Sequence, residues 1–237
     1  MSFSGFSPQM LEFLAENHIR NSKPWYEEHK EEYRRLAVQP YYELAELLAP
    51  VMQAIDPLFV TQPSRCLSRV RRDTRYTKNK DLYRDHLWLT YRHPRKSMGS
   101  ALCYYFETEQ ESWGYGVGYY DMPRDVLAEC QTMILHEDVL FQKAFHALNH
   151  SDFVLYGEDY KRVKFPDAPQ QYQPWLNKKR FGASFVSDDF EALFQGSFCD
   201  KMIKDIQLIQ PFYAFLRTAE ERAGAKRREA FCEVHGD

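Results

Sequence analysis

Residues 100–120 read SALCYYFETEQESWGYGVGYY, and this stretch predicts a β-hairpin. Two runs rich in aromatic and β-branched residues, 100–108 and 113–120, flank a polar turn, which is typical of antiparallel strands. Every second residue from 114 to 118 is glycine, so one face of the second strand is bare and leaves room for aromatic rings. A nucleotide-binding loop is the alternative, but the spacing is GxGxG instead of GxGxxG and no helix follows at once.

Outward from this hairpin, the sequence predicts two further strands and a group of N-terminal helices. The strands are placed at 65–71 and 86–92, where short apolar runs are broken by turn residues. Helix starts at Ser7, Ser22 and Pro40 are each followed by apolar residues at helical spacing, which predicts three helices before the first strand.

The remainder of the chain is predicted to be mainly helical, with one irregular connection. The helical segments are 123–136, 138–149 and 198–220, and the proline-rich run is 153–189. The predicted fold class is therefore α+β: an antiparallel sheet of about four or five strands, flanked by helices from both ends of the chain. No composition break divides the chain, so we expect a single domain over 1–224 and a frayed tail over 225–237.

The composition favours a cytoplasmic protein. The opening residues lack the basic region and apolar run of a signal peptide, and no apolar segment approaches the ~20 residues needed to cross a bilayer. The five cysteines are scattered and form no CxxC pair, which indicates buried free thiols instead of disulfides or a zinc site. We expect no membrane partner and no cofactor, and the sequence carries no signal for an oligomeric state.

The segment 65–96 concentrates positive charge in an otherwise acidic chain. It contains eleven Arg and Lys residues against three Asp, a formal charge of +8, whereas the whole chain carries −3. Like charges held close together repel, so this segment needs an anionic partner. That partner would be a ligand, a nucleic acid or the protein's own carboxylates.

The residues expected to bind an anion lie around Asp73. Alternation along the first predicted strand would place Arg65, Arg69 and Arg71 on one face, where their guanidinium groups can converge on one phosphate or carboxylate. Asp73 would accept a hydrogen bond from one of them, and the loop 73–81 would supply further donors. The predicted ligand-binding residues are Arg69, Arg71, Arg72, Asp73, Arg75, Lys78, Lys80, Arg84, Lys161 and Arg162.

Three interpretations of this segment stay open. The arginines would pair with acidic residues elsewhere, or would form a pocket for a small phosphate- or carboxylate-bearing ligand. As a third interpretation, the cations and the interleaved Tyr76, Tyr83, Trp88 and Tyr91 would track a nucleic-acid backbone and stack on its bases. The pI of about 6.3 is low for a dedicated nucleic-acid domain.

Lys161 and Arg162 belong to a second, weaker basic group between 161 and 180. A solvated loop face is the simpler interpretation of that group. The sharper hypothesis is that these cations close over the same anion from the opposite side, with loops 72–85 and 157–180 bordering a cleft.

Familiar catalytic patterns are missing from the sequence, which has no GxSxG elbow, P-loop or HExxH motif. Asp73 is the best-placed candidate for a general base, but an aspartate among arginines should have a lowered pKa and be a weak base. His146 and His150, with His136, are a conceivable metal group, although histidines near a helix end also suit its negative pole. The acidic cluster 188–191 is more simply a helix start than a magnesium site. No metal site is predicted.

Three segments carry a family pattern: FSGFSPQMLEFLAENHIRNSKPWYEEHKEEY at 3–33, SRVRRDTRYTKNKDLYRDH at 68–86, and LYGEDYKRVKFPDAP at 155–169 with the later WLNKK. Together they resemble the domain of unknown function 2461 family, over most of the chain, and the resemblance implies no established activity. That family usually has aspartate and proline where this chain has Asn79 and Leu82. A catalytic scheme would therefore rest on Asp73 and not on position 79.

Overall fold

A computed structural model describes residues 3–75, 77–94 and 99–235. In this part of the chain a five-stranded antiparallel sheet has helices on its N-terminal and C-terminal sides, so the predicted α+β class is confirmed. The strands are β1 (Leu87–Arg92), β2 (Cys103–Thr108), β3 (Trp113–Gly118), β4 (Val154–Tyr156) and β5 (Gly182–Ser187). Their order in the sheet is β1-β2-β3-β5-β4.

The α-helices before the sheet are α1 (Pro8–Arg20), α2 (Lys23–Glu28), α3 (Lys30–Tyr33), α4 (Gln39–Ile55) and α5 (Pro63–Cys66). The later helices are α6 (Arg124–Leu135), α7 (Val139–Asn149), α8 (Gln173–Leu176), α9 (Phe190–Phe194), α10 (Phe198–Leu208) and α11 (Gln210–His235). A π-helical turn, Arg34–Val38, joins α3 to α4, and a 3-10 turn, Gln170–Tyr172, precedes α8. None of the helices in the described ranges is long and apolar enough to cross a membrane.

Three of the four predicted strands coincide with β1, β2 and β3. The strand predicted at 65–71 is wrong, because its first residues end helix α5 and only isolated bridges follow, at Leu67 and Arg71. Pro63 explains the helix, since proline is favoured in a first helical turn.

The irregular connection predicted over 153–189 is also wrong, since it contains β4 and β5. These strands pair antiparallel, with Val154 opposite Ser184 and Tyr156 opposite Gly182. Sequence patterns missed them because β4 has three residues and β5 opens with small residues, so neither carries a long β-branched run.

Two compact units can be distinguished by their internal contacts. The first comprises the chain up to Pro94, Tyr104–Tyr115 and Val186–Lys204. The second comprises 99–103, Gly116–Phe185 and the chain from Asp205 onward. Helix α11 continues to His235, through the segment for which the sequence predicts a frayed tail. The boundaries predicted at 1–224 stay a prediction.

In the first unit, helix α4 covers one face of β1 and β2. Tyr91 of β1 donates a hydrogen bond of 3.0 Å to a backbone carbonyl of α4. Tyr41 of α4 lies 2.7 Å from the hydroxyl of Thr108 on β2. Because side chains alternate along a strand, Trp88 of β1 and Glu107 of β2 point to the opposite face of the sheet.

In the second unit, aromatic rings fill the core between α7, α8 and α11. The ring of Phe141 lies 5.3 Å from that of Trp175 and 5.7 Å from that of Phe215. Between β4 and β5, the ring of Tyr156 lies where a Cβ atom at Gly182 would be, so that position requires glycine.

Candidate functional site

The basic segment forms a two-stranded arm with the loop 73–81 at its tip. Isolated bridges pair Leu67 with Leu89 and Arg71 with Tyr83, both antiparallel. The amide of Arg72 donates to the carbonyl of Leu82 at 2.8 Å and closes the base of the loop. We call residues 67–72 and 82–89 the basic arm.

The two sides of the basic arm have different numbers of residues between their paired positions, because one side contains a bulge. The amide of Ser68 donates to the carbonyl of Trp88, and the amide of Arg84 donates to the carbonyl of Val70, both at 2.9 Å. Between these contacts the first side advances by two residues and the second by four. The extra residues around Asp85 therefore form a bulge, a feature that re-aims neighbouring side chains.

The N-terminal helices anchor the returning side of the basic arm. The side-chain oxygen of Asn21 accepts a hydrogen bond from the amide of Leu82 at 2.6 Å. His18 donates from Nδ1 to the carbonyl of Tyr83 at 2.9 Å, and the Tyr26 ring stacks on the Tyr83 ring at 4.9 Å. These contacts fix where the loop 73–81 ends.

Alternation along the first side of the basic arm follows the prediction in part. Ser68 and Val70 are buried, whereas Arg69 and Arg71 are exposed. Arg65, which was predicted on the same face, belongs to helix α5 and does not continue the row.

Asp73 is paired with Arg75 and not with an arginine of the predicted row. Arg75 donates from Nε and Nη2 to the two carboxylate oxygens at 2.9 and 2.8 Å, and its amide donates at 3.2 Å. These hydrogen bonds lower the pKa of Asp73 to about 2. The pair is exposed. Asp73 orients Arg75, and because its pKa is lowered it is a poor general base.

Arg84 is the best-fixed cation of the arm. Its Nη1 donates to the carbonyls of Arg69 and Arg71 at 2.8 and 3.2 Å, and its guanidinium lies 5.1 Å from the centre of the Trp88 ring. Burial and the nearby charge of Arg72 lower the pKa of Arg84. Within residues 3–75, 77–94 and 99–235, no carboxylate lies within 4.0 Å of this half-buried guanidinium.

The other predicted cations of the segment differ in their contacts. Lys80 donates to the carbonyl of Thr74 at 2.8 Å, inside the loop. The side chains that make no hydrogen bond or ion pair to any described residue are Arg69, Arg71, Arg72 and Lys78. Asn79, which stands where the family usually has aspartate, accepts a hydrogen bond from the amide of Asp81 at 2.7 Å and thus shapes the turn. Tyr76 lies outside the described residues.

Sequence reasoning missed a group of ionisable side chains on the returning side of the basic arm and on β2. His86 donates from Nδ1 to Asp85 at 2.8 Å, and its ring stacks on Trp88 with the ring centres 5.5 Å apart. Burial and the neighbouring Glu109 raise the pKa of Glu107, and the nearby His86 opposes that rise. The only indication of this group in the sequence was that 84, 86 and 88 are alternate positions of an extended segment, which places their side chains on one face.

Lys161 and Arg162 belong to the second unit, where both are exposed. Their neighbours are tied within the same loop: Lys178 donates to the carbonyl of Gly157 at 2.9 Å and pairs with Asp159 at 3.1 Å. The hypothesis that Lys161 and Arg162 close over the anion stays a prediction.

The candidate metal groups have simpler structural roles. His150 donates from Nδ1 to the carbonyl of His146 at 2.9 Å, and their rings stack at 4.0 Å. Asp189 accepts a hydrogen bond from the amide of Ala192 at 3.2 Å and begins helix α9, as predicted for the acidic cluster. Among the described residues, no three His, Cys, Asp or Glu side chains are grouped to hold a metal ion.

Comparison with known proteins gives a family and no activity. A family model described as "Conserved hypothetical protein (DUF2461)" matches residues 9–215, which include the whole basic arm. No curated protein matches the chain. Because the matched region is most of the chain, the protein belongs to the DUF2461 family.

Proposed function

We propose that this protein binds a small anionic ligand, bearing phosphate or carboxylate, at the basic arm. The observation that carries the proposal is the half-buried guanidinium of Arg84, which has the charge of Arg72 beside it and no carboxylate within 4.0 Å among the described residues. Two neighbouring cations that are partly removed from water repel each other, and a bound anion offsets that repulsion.

The arrangement of donors also fits a small anion. Arg84 is held by two backbone carbonyls through Nη1, which leaves its Nε and Nη2 donors to a ligand. Arg69 and Arg71 are exposed on the same side of the arm, and Asp73 holds Arg75 in a defined orientation. Planar guanidinium groups bind phosphate and carboxylate through paired hydrogen bonds.

The sequence left open whether these cations pair with the protein's own carboxylates. Such pairing accounts for few of them. Among the described residues, Arg75 is the cation of the predicted group that pairs with a carboxylate, and its partner is Asp73, two residues away. Such an exposed local pair does not tie strands to helices.

Nucleic-acid binding is supported less well than a small ligand. Base stacking needs exposed rings, but Tyr83 and Tyr91 are each only 1% exposed. Trp88 is in contact with both Arg84 and His86. The formal net charge of −3 also disfavours a long polyanion as the ligand.

Isothermal titration with inorganic phosphate tests the proposal. Arg72→Ala and Arg84→Lys should each weaken binding by about tenfold or more, since each removes one charge-assisted contact. Arg20→Ala is the matched control, because Arg20 is exposed and already paired with Glu16 at 3.1 Å. Affinity that is unchanged in both arm variants would reject the proposal, as would tight binding of a single-stranded oligonucleotide without affinity for phosphate.

We also propose that this binding protein acts in the cytoplasm.

A further inference from the structure

Three ionisable side chains on or near the basic arm are not needed to bind an anion. They are Asp85, His86 and Glu107, all in the first unit. Asp85 and His86 lie at the bulge of the basic arm, and Glu107 lies on β2, the neighbour of β1 in the sheet.

The imidazole of His86 is held in one orientation. Its Nδ1 donates to Asp85 Oδ1 at 2.8 Å, and its ring is stacked on Trp88 with an interplanar angle of 27°. A carboxylate on Nδ1 fixes the tautomer that leaves Nε2 as a proton acceptor, which is the arrangement of a general base. Burial acts to raise the pKa of Asp85, but the hydrogen bond from His86, a backbone hydrogen bond and the nearby His86 and His18 together outweigh it, and the pKa is lowered. Asp85 therefore stays ionised and positions the ring.

Glu107 is placed on the same face of the sheet as His86 and Trp88. Its neighbour Thr108 contacts Tyr41 on the helix-covered face, so Glu107 points the other way. Its pKa is raised by burial and by Glu109. No residue in the described ranges donates a hydrogen bond to its carboxylate. A carboxyl group whose pKa is raised is suited to hold a proton and donate it as a general acid.

The bound anion would lie close to these groups. Both the Arg84 guanidinium and the His86 ring contact Trp88, at 5.1 and 5.5 Å from its ring centre, so at most this ring separates them. The phosphate of an ester held by Arg84 would therefore lie beside the same ring as the imidazole of His86.

We propose that His86 and Glu107, with Asp85 as a positioning residue, hydrolyse a phosphate monoester bound at the basic arm. This inference rests on the proposed anion site. His86 Nε2 takes a proton from water as the water oxygen forms a bond to phosphorus. The bond between phosphorus and the ester oxygen breaks, and the Glu107 carboxylic acid donates its proton to the leaving oxygen. The imidazolium proton then returns to the Glu107 carboxylate, so that ester and water give alcohol and phosphate.

Two substrates with different leaving groups test these roles separately. p-Nitrophenolate leaves without much help from an acid, whereas the alkoxide of glycerol phosphate needs protonation. Glu107→Gln should lower kcat for glycerol phosphate about 100-fold and affect p-nitrophenyl phosphate much less, and His86→Gln should lower both about 100-fold. Asp85→Asn should lower kcat and shift its pH profile, and Asp85→Glu should restore part of the activity.

Binding of inorganic phosphate separates the two proposals. His86→Gln and Glu107→Gln should keep their phosphate affinity and stay folded at the assay temperature, and Glu111→Gln and His136→Gln, both exposed, serve as matched controls. A wild-type protein that binds phosphate and releases no p-nitrophenolate above buffer overturns the inference alone, as does turnover that neither variant reduces. A wild-type protein that binds no phosphate overturns the anion site itself.

Discussion

The side-chain oxygen of Asn21 lies 2.6 Å from the backbone nitrogen of Leu82 and accepts its hydrogen bond, across 61 residues of sequence. Asn21 ends helix α1 in the left-handed region, with φ of 48°. A short amide side chain tolerates that conformation better than most residues do. One residue thus ends the first helix and fixes the exit of the loop that the proposed site uses.

Substitutions at Asn21 should separate these two roles. Asn21→Gly keeps the left-handed conformation and removes the hydrogen bond, so we expect a loss of about 1 kcal/mol in the free energy of unfolding. Asn21→Ala should lose at least about 1 kcal/mol more, because it adds the cost of that conformation. Urea unfolding measures both losses. Equal stability of the two variants would show that the backbone of Asn21 is not strained in the wild type.

Phosphate should stabilise the folded protein if the basic arm binds it. At a phosphate concentration about 100 times Kd, linkage adds about 2.7 kcal/mol to the free energy of unfolding and raises Tm. Arg72→Ala should lose about half of this increment or more, whereas the control Arg20→Ala should keep it. The melting curves are compared at matched ionic strength, since screening by salt also acts on clustered charges. An equal rise in Tm with chloride would contradict specific binding.

The hairpin of β2 and β3 could be predicted from the sequence, whereas the basic arm could not. β2 is rich in aromatic residues and glycines alternate along β3, so local pattern and final structure agree. The arm is held instead by sparse bridges, at Leu67 and Arg71, and by the distant contact from Asn21. Hydrophobic periodicity in the sequence does not reveal isolated bridges or contacts between residues that are far apart in the chain.

The candidate site divides in the same way. The position of Arg69 and Arg71 follows from alternation, and the Asp73–Arg75 pair is local in sequence. The neighbourhood of His86 and Glu107 depends on how β1 and β2 are placed in the sheet. That placement requires the fold, because His86 precedes β1 whereas Glu107 lies on β2.

Two glycines of the second unit should respond differently to alanine. At Gly182 a Cβ would collide with the ring of Tyr156, and at Gly157 with the backbone carbonyl of Arg180. We expect Gly182→Ala to cost about 1–3 kcal/mol, and much less in a Tyr156→Ala background, where the ring is absent. Gly157→Ala should not be rescued in that background, since φ there is +137° and the obstacle is backbone. Chemical denaturation of the three single and two double variants measures the coupling, and an equal cost in both backgrounds would contradict the packing at Gly182.

Glu107 should make the protein less stable as the pH rises. Its pKa in the folded protein is raised above the ordinary value of 4.5 by burial and by Glu109. Above pH 4.5 the unfolded chain therefore loses this proton while the folded protein keeps it, and stability falls as the pH rises through the folded pKa. Glu107→Gln has no proton to lose, so it should match the wild type at low pH and unfold at a higher urea concentration near pH 7. Glu111→Gln, in the exposed turn, should follow the wild type throughout. A Glu107→Gln protein that is less stable than the wild type near pH 7 would show that the carboxylate makes a favourable contact when ionised, and it would remove the argument for Glu107 as an acid.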